Sequence, residues 1–507
     1  MTSGSPRDEL KAAVGVNGVI AAIFLLAILI PHMLDVGYWL TDMEVLTAAA
    51  GALGLGLAAG ALSSARPRLF GTLLGFLAYW LADVYFFRSG PGSIAFGLAV
   101  IALMWTRFRP TVSRMLAAFS AFFLLSCLPN TGKPLFAVEG VAAPAPTTPA
   151  KLKPIVHVVL DEQISPGWLS RYPGGADAGP ALVEDYVKRG FQVFPQTRSI
   201  TASTTASLSQ LVALAPNPDP QPNLTKFPNF VYGVENNEYA KQLRGLGYRL
   251  TIVQSGYLNF CDRDHDRCWT YSDGGNGHDV GQHLGGDLGA RLKIALHQFH
   301  YDYMENDSVR SVTLYRLVTR PFRVNRAISA RRMDVVRPLS QLDLLDEVSR
   351  DLRSVQYGQA YFVHLLLPHF PYMLDESCSL TAAAQWTAPD WRESRLFTRP
   401  VEELKRAYLQ QVSCVHRRMM DLVDSVRATE AGKDAIFIFH GDHGARTKTM
   451  QLTIKSEASD EELSDALDPL FVVAAPGTPG GVVEDFDTLQ GRFRRIFFDL
   501  KNELSVP

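Results

Sequence analysis

Surplus charge is the first thing this 507-residue chain lacks. Its 49 lysines and arginines offset 51 aspartates and glutamates, leaving a formal net charge of −2. That balance excludes a general electrostatic case for binding nucleic acid or another polyanion. No internal repeat is present, which excludes a repeat array. Cysteine is scarce, at five residues. Apolar sequence is plentiful but unevenly placed. From about residue 12 to 128 it gathers into long runs, whereas the remainder reads as a soluble α/β protein. The length allows two or more domains.

The runs are "AVGVNGVIAAIFLLAILIPHML", "VLTAAAGALGLGLAAGAL", "LFGTLLGFLAYWLADVYFF", "GSIAFGLAVIALMW" and "MLAAFSAFFLLSCL". A helix needs roughly 20 apolar residues to cross a bilayer. Two runs are short and the fourth is the weakest, yet five spans is the expected count, because a signal peptide would account for the first run alone. Orientation follows from the basic residues of the short loops. Arg66 and Arg68 lie between spans two and three, and Arg107, Arg109 and Arg114 between spans four and five. The alternate loops hold Asp35, Asp42, Glu44 and only Arg88. The N-terminus is therefore expected in the cytoplasm and everything beyond residue 130 outside, with Asp83 at the interface near the end of span three.

The cysteines agree with an outside location, since disulfides persist in an oxidising compartment such as a periplasm. Cys127 reads as an apolar filler in span five. The other four can pair as Cys261–Cys268, closing "CDRDHDRC", and Cys378–Cys414. The octapeptide also resembles a metal clip, but its mixed charges and location favour the disulfide over a zinc site.

Residues 129–153, "PNTGKPLFAVEGVAAPAPTTPAKLK", read as an extended linker. The expected division is a membrane domain over 1–130, a linker over 131–153 and an extracytoplasmic domain over 154–507. That last part opens with "KPIVHVVLDE", a continuous apolar run of the kind buried on both faces of a parallel sheet. Similar runs recur in "YRLTIVQS", "QAYFVHLLL", "DAIFIFHGDHG" and "PLFVVAAP", with helical stretches between them. Alternating strand and helix predict an α/β domain with a central, mostly parallel sheet. The basic stretch from about 285 to 345 reads as a surface or inter-domain insertion in preference to a segment lying against the membrane.

In an open parallel sheet, ligands gather beyond the carboxyl ends of the strands. Polar clusters fall at those points: Asp161 and Glu162 after "IVHVVL", His364 within "YFVHLLL" and His369 just beyond it, and Asp442 and His443 after "IFIFHG". The hydroxyl-rich "SITASTTASLSQLVAL" follows the short run "FQVF" and begins a helix. Each has a plain structural reading: "DE" as a loop start, "DHG" as a turn, His364 as a core histidine and "TASTTAS" as an N-cap. Together they suit a metal-activated nucleophile, since carboxylate and imidazole are ordinary ligands of Zn²⁺ or Mn²⁺. A threonine hydroxyl is a weak nucleophile until a metal lowers its pKa. A helix N-terminus adds donors and partial positive charge that favour an alkoxide or an esterified phosphoryl group.

The order and spacing resemble the alkaline phosphatase/sulfatase superfamily. The likeness points to its membrane-anchored branch of lipoteichoic acid synthase and the phosphoethanolamine and phosphoglycerol transferases. It covers about 153 to 475, plus the membrane part as architecture. By that resemblance Asp161 takes the first-strand acidic ligand position, and "TTASLSQLVAL" matches the nucleophile segment. Thr204 is then the nucleophile, with Ser203 and Thr205 as alternatives of register. "PHFPY" supplies His369 on the substrate side, and "FIFHGDHG" supplies Asp442 and His443. Gly441 stands where the family usually has serine, and His440 precedes it. Glu162, His364 and His440 are spare ligands if a second metal binds. Neither "C-x-P-x-R" nor "S-x-P-x-R" occurs, so the formylglycine of true sulfatases has no precursor here, which counts strongly against sulfate ester hydrolysis.

The resemblance implies a transferase of the bacterial inner membrane, with its catalytic domain on the periplasmic side. Thr204 would take a headgroup from a phospholipid donor as a phosphothreonine ester and pass it to a glycan or lipid acceptor. Two alternatives stand beside this reading. One is a metal-dependent hydrolase with water as acceptor. The other is a non-catalytic envelope regulator on the same scaffold.

Overall fold

The structure is a computed structural model describing residues 6–35, 38–82, 91–127, 136–139, 152–218, 223–225, 232–255, 257–261, 265–271, 288–289, 291–292, 295, 337–381, 385, 400–448 and 452–504. Two compact units result. One joins Met1–Pro134 to Gly275–Met333, and the other joins Leu135–Gly274 to Asp334–Pro507.

In the first unit each apolar run forms a helix: α1 (Pro6–Asp35), α2 (Met43–Ala65), α3 (Pro67–Ala82), α4 (Pro91–Met104) and α5 (Arg109–Cys127). Small residues let α1 and α2 meet backbone to backbone. A Cβ on Gly56 would lie 2.6 Å from the Ala22 Cβ and 2.7 Å from the Gly18 carbonyl oxygen. Across the same pair, Asn17 Nδ2 donates to Ser63 Oγ at 2.9 Å. Among the described residues, two segments are long and apolar enough to cross a bilayer, Gly15–Leu34 and Met43–Ser63. The 19-residue α5 carries Arg109 and Arg114 in its opening turns. Among the described residues, length and composition thus single out two of the five expected spans. Asp83, Arg88 and the Cys127 side chain lie outside the described residues.

The stretch 285–345 divides between the units, because Gly275–Met333 belongs to the first. There Arg291 donates from Nε and Nη2 to the two carboxylate oxygens of buried Glu44, at 2.7 and 2.8 Å. Ala295 packs on the cluster of Ile30, Met33, Leu34, Tyr38 and Val45.

The second unit contains strands β1 (Phe136–Glu139), β2 (Ile155–Leu160), β3 (Gln192–Val193), β4 (Thr197–Arg198), β5 (Leu224–Thr225), β6 (Tyr232–Val234), β7 (Arg249–Ser255), β8 (Leu258–Asn259), β9 (Arg267–Tyr271), β10 (Gln359–Leu365), β11 (Ile436–Gly441), β12 (Phe471–Ala474), β13 (Gly481–Val482) and β14 (Asp487–Thr488). Its helices are α6 (Pro166–Leu169), α7 (Ala178–Lys188), α8 (Thr204–Val212), α9 (Glu238–Gly245), α10 (Arg337–Leu352), α11 (Val401–Arg427), α12 (Asp460–Leu467) and α13 (Leu489–Leu504). One sheet runs in the order β1-β9-β7-β10-β2-β11-β12-β3-β13. Its five central strands, β9 to β11 in that order, are mutually parallel. Both faces are covered, as the continuous apolar runs demand. On one face Ile155, Val159, Phe362 and Ile438 pack with Leu208 and Leu211 of α8 and with Phe493 and Phe497 of α13. On the other, the Phe191 ring lies against Phe437 and Phe439, and Arg427 of α11 sits over the Phe437 ring.

Two expectations change. The stretch 131–153 is not wholly linker, for β1 lies inside it and pairs antiparallel with β9, Phe136 opposite Tyr271. An edge strand offers a row of unpaired backbone groups, and the short apolar "FAVE" can satisfy them. The "CDRDHDRC" stretch is more than a closed loop, since its end begins β9. Both disulfides form as paired in the sequence, Cys261–Cys268 and Cys378–Cys414.

Candidate active site

Register sets the rim of the sheet. Leu160 stands opposite both Leu365 and Gly441, so three neighbouring strands end at one level. The chain then delivers Asp161, Leu366 and Asp442 to the same edge. Gly441 is required there, because a Cβ would come within 2.3 Å of the Gln163 carbonyl oxygen. This explains its departure from the serine of the resembled motif.

His443 Nε2 lies 3.0 Å from Asp442 Oδ2 and 3.9 Å from Asp161 Oδ1. Its other nitrogen, Nδ1, is 2.9 Å from the Gly444 carbonyl. A carbonyl only accepts, so Nδ1 carries the proton and Nε2 presents its lone pair. Thr204 Oγ1 sits 3.2 Å from that Nε2 and donates to it. Ser203 occupies the N-cap of α8 but makes no side-chain cap bond. The Ser203 and Thr205 hydroxyls instead face each other at 3.0 Å. Of the three hydroxyls considered from the sequence, Thr204 is the one aimed at His443. Ser207 Oγ, one turn on, donates to the Asp442 carbonyl at 2.6 Å and ties α8 to the strand end.

The donor set fits a divalent cation. Atoms of Asp161, Asp442 and His443 lie within 4.8 Å of one another, all buried. Asp161 Oδ1 and Asp442 Oδ2 are enclosed yet have no hydrogen-bond partner among the described residues. Buried carboxylate oxygens are costly in that state unless a cation meets them. The 3.0 to 3.9 Å spacings also suit ligands around one centre, for bonds of about 2 Å in a tetrahedron stand roughly 3.3 Å apart.

Glu162 follows Asp161 in the left-handed region, φ 66°. Its backbone N–H donates to Asp442 Oδ1 at 3.0 Å and its carbonyl accepts from the Tyr408 hydroxyl at 2.6 Å. Its carboxylate pairs with Arg446 and accepts from the Phe370 N–H at 3.2 Å. Burial pushes the Glu162 carboxyl up to about 7, against the pull of Arg446. Arg446, also buried, reaches the Ala202 carbonyl at 2.9 Å and so links this loop to the nucleophile segment.

His369 places Nε2 3.7 Å from Glu162 Oε1, and its Nδ1 donates to the Phe370 carbonyl at 2.7 Å. Asp161, Glu162 and His369 form a second group whose atoms lie within 4.8 Å. His364 is fully buried 3.5 Å from Asp161 Oδ2, and neither ring nitrogen has a hydrogen-bond partner among the described residues. His440 is different. Its Nδ1 donates to the Gly441 carbonyl at 2.8 Å and its Nε2 meets His157 Nε2 at 2.8 Å, while His157 Nδ1 meets the Tyr239 hydroxyl at 3.2 Å. Both nitrogens are engaged inside the apolar layer, which corrects its reading as a spare ligand.

Sequence reasoning missed the roles of Arg446, Tyr408, Gln411 and Ser207. Arg446, three residues beyond His443, and Ser207, one turn beyond Thr204, carried a positional hint.

A family model described as Sulfatase matches residues 153–488. No curated protein matches the chain. Among solved structures, the periplasmic domain of the phosphoethanolamine transferase EptC from Campylobacter jejuni is similar at 13% identity and a TM-score of 0.39, over 71% of this chain and 92% of that one. The corresponding Escherichia coli domain, in complex with Zn, gives 13% and 0.39 over 73% and 85%. A phosphonate monoester hydrolase of Agrobacterium radiobacter gives 13% and 0.37 over 70% and 74%. Likenesses this remote say nothing of what this chain acts on.

Proposed function

The chain belongs to the sulfatase family, and from that premise we propose that it is a metal-dependent phosphotransferase. It moves a phospholipid headgroup, of phosphoethanolamine or phosphoglycerol type, to a glycan or lipid acceptor. The observation that carries this reading is Thr204 Oγ1, at the start of α8 and 3.2 Å from His443 Nε2, beside two unpartnered carboxylate oxygens.

In this reading Asp161, Asp442, His443 and Thr204 hold one divalent ion, Zn²⁺ or Mn²⁺. Such an ion, when bound, supplies Lewis-acid polarisation and lowers the pKa of a hydroxyl it touches. Thr204 Oγ forms a bond to phosphorus as the bond from phosphorus to the diacylglycerol oxygen breaks. The proton lost by Thr204 is taken up at the bare Nε2 of His369 and passed to that departing oxygen, so what Thr204 loses diacylglycerol gains. The N–H groups at the start of α8 stabilise the phosphothreonine ester. An acceptor hydroxyl then attacks the same phosphorus, and Thr204 regains its proton.

The five helices of the first unit are read as spans of a bacterial inner membrane, N-terminus in the cytoplasm and the second unit outside. Such an anchor keeps the enzyme at the surface where its donor resides. The two long apolar segments support anchoring, and the arginine-bearing loops support the direction. The test is to incubate the purified full chain with labelled phosphatidylethanolamine or phosphatidylglycerol and Mn²⁺ or Zn²⁺, with and without a glycolipid acceptor. Diacylglycerol together with a labelled acceptor is the expected result. Free headgroup phosphate in equal amount with and without acceptor would make the protein a hydrolase, and no diacylglycerol from any donor would overturn the reading.

A further inference from the structure

Residues 366–374, "LLPHFPYML", carry His369, and ladder pairing resumes only at their end, where Leu374 bridges Leu380. Pro368 and Pro371 have no N–H to give, and the segment follows the end of β10 without continuing it. One fully buried side chain meets the need from another element. Gln411, on α11, donates from Nε2 to the carbonyls of Pro368, His369 and Pro371 at 3.0, 3.2 and 3.3 Å. Its Oε1 accepts from the N–H groups of Met373 and Leu374 at 3.0 and 3.2 Å. The amide has one workable orientation, since the flip would set NH₂ against two donors and oxygen against three carbonyls.

The same face of α11 has two further grips on the rim. Tyr408, one turn earlier, donates to the Glu162 carbonyl at 2.6 Å and accepts from the Ile164 N–H at 2.9 Å. Cys414, one turn later, is bonded to Cys378, which lies downstream of the His369 loop. Three successive turns of one helix therefore fix the loops that follow β2 and β10.

We infer that Gln411 is a positioning residue, which fixes the backbone on either side of His369 so that the imidazole keeps Nδ1 on the Phe370 carbonyl and Nε2 toward Glu162 and Asp161. The inference rests on the role given to His369 above. It assigns Gln411 no contact with substrate.

The full chain, ¹⁵N-labelled at its histidine rings, tests this in detergent at pH 8. His369 is identified by the signals lost in His369→Ala. In wild type it gives the ¹⁵N pattern of a single Nδ1–H tautomer. Gln411→Leu is expected to convert that pattern to one averaged over both tautomers. Gln411→Glu keeps the volume and the acceptor but not the donors, and is expected to do the same, covering the case in which the leucine variant does not fold. Gln410→Leu, on the exposed side of α11, is expected to leave the pattern unchanged. In the headgroup-transfer assay Gln411→Leu should lower kcat on the order of 100-fold, the scale of a misplaced catalytic group. In a His369→Ala background the same change should add less than about twofold, because non-additivity marks groups acting as a unit. An unaltered Nδ1–H pattern in both folded Gln411 variants overturns the inference, and so does an undiminished effect on top of His369→Ala. If wild type transfers no headgroup, the functional reading fails and the ¹⁵N pattern alone decides the role of Gln411.

Discussion

Replacing Arg446 by methionine removes the cation from a pair that has no water to fall back on. Arg446 is 5% exposed and Glu162 is wholly enclosed. The guanidinium donates to Glu162 from two nitrogens and to the Ala202 carbonyl from a third. Methionine fills most of the volume but leaves a carboxylate and a carbonyl without their partner. Removing one member of a buried pair costs about 3–5 kcal/mol, because the remaining charge stays desolvated. Against a total stability of about 5–15 kcal/mol, that is a large fraction. At about 1.5 °C per kcal/mol for a unit of roughly 300 residues, the melting temperature should fall by about 5–8 °C. Differential scanning fluorimetry of the full chain in detergent reads this directly. Adding Glu162→Met to the same chain should recover part of the loss, since replacing both partners by apolar groups removes the stranded charge. A melting temperature within about 2 °C of wild type would refute the claim that the pair holds the Asp161–Glu162 loop to the nucleophile segment.

Two further outcomes are expected. Mn²⁺ or Zn²⁺ at a hundred times its dissociation constant should stabilise wild type by about 2.7 kcal/mol. Asp442→Asn should abolish most of that rise in melting temperature, and an equal rise in the variant would contradict the ligand assignment. Burial, then the neighbouring His440, keeps the His157 imidazole well below its ordinary pKa, so it is neutral when folded, whereas the unfolded chain takes up a proton near pH 6.5. Stability should therefore be fully present above about pH 6.5 and fall as the pH drops below it, by at most about 1.4 kcal/mol per pH unit from this group. His157→Gln should show a shallower fall between pH 7.5 and 5.5 in urea unfolding, and an undiminished slope would contradict the assignment.

The sheet was readable because strands buried on both faces leave uninterrupted apolar runs, as in "IVHVVL" and "IFIFHG". Its edges were not. β1 is four residues inside a proline- and alanine-rich stretch, and β9 begins within a disulfide-closed polar segment, so neither carried a strand signature. The rim residues were legible for a topological reason: parallel strands ending at one level bring Asp161 and Asp442 together without any contact between them in sequence. The engagement of His440 depended on His157 of a neighbouring strand, a partner 283 residues away that the apolar run does not reveal. Arg446, Tyr408 and Gln411 act over separations of up to 284 residues, as Arg446 does on Glu162, and no local pattern marks such a partner. The helical count met the opposite difficulty, since apolar composition was plain but helix length was not.

The account stands on the Thr204 oxygen. Intact and peptide mass spectrometry of the full chain, quenched after incubation with phospholipid and Mn²⁺ or Zn²⁺, measures it most directly. The expected result is one headgroup phosphate added within residues 199–214, located on Thr204 and absent from Thr204→Ala. An unmodified peptide while diacylglycerol accumulates would contradict the covalent mechanism, and an adduct on Ser203 or Thr205 would contradict the choice of nucleophile.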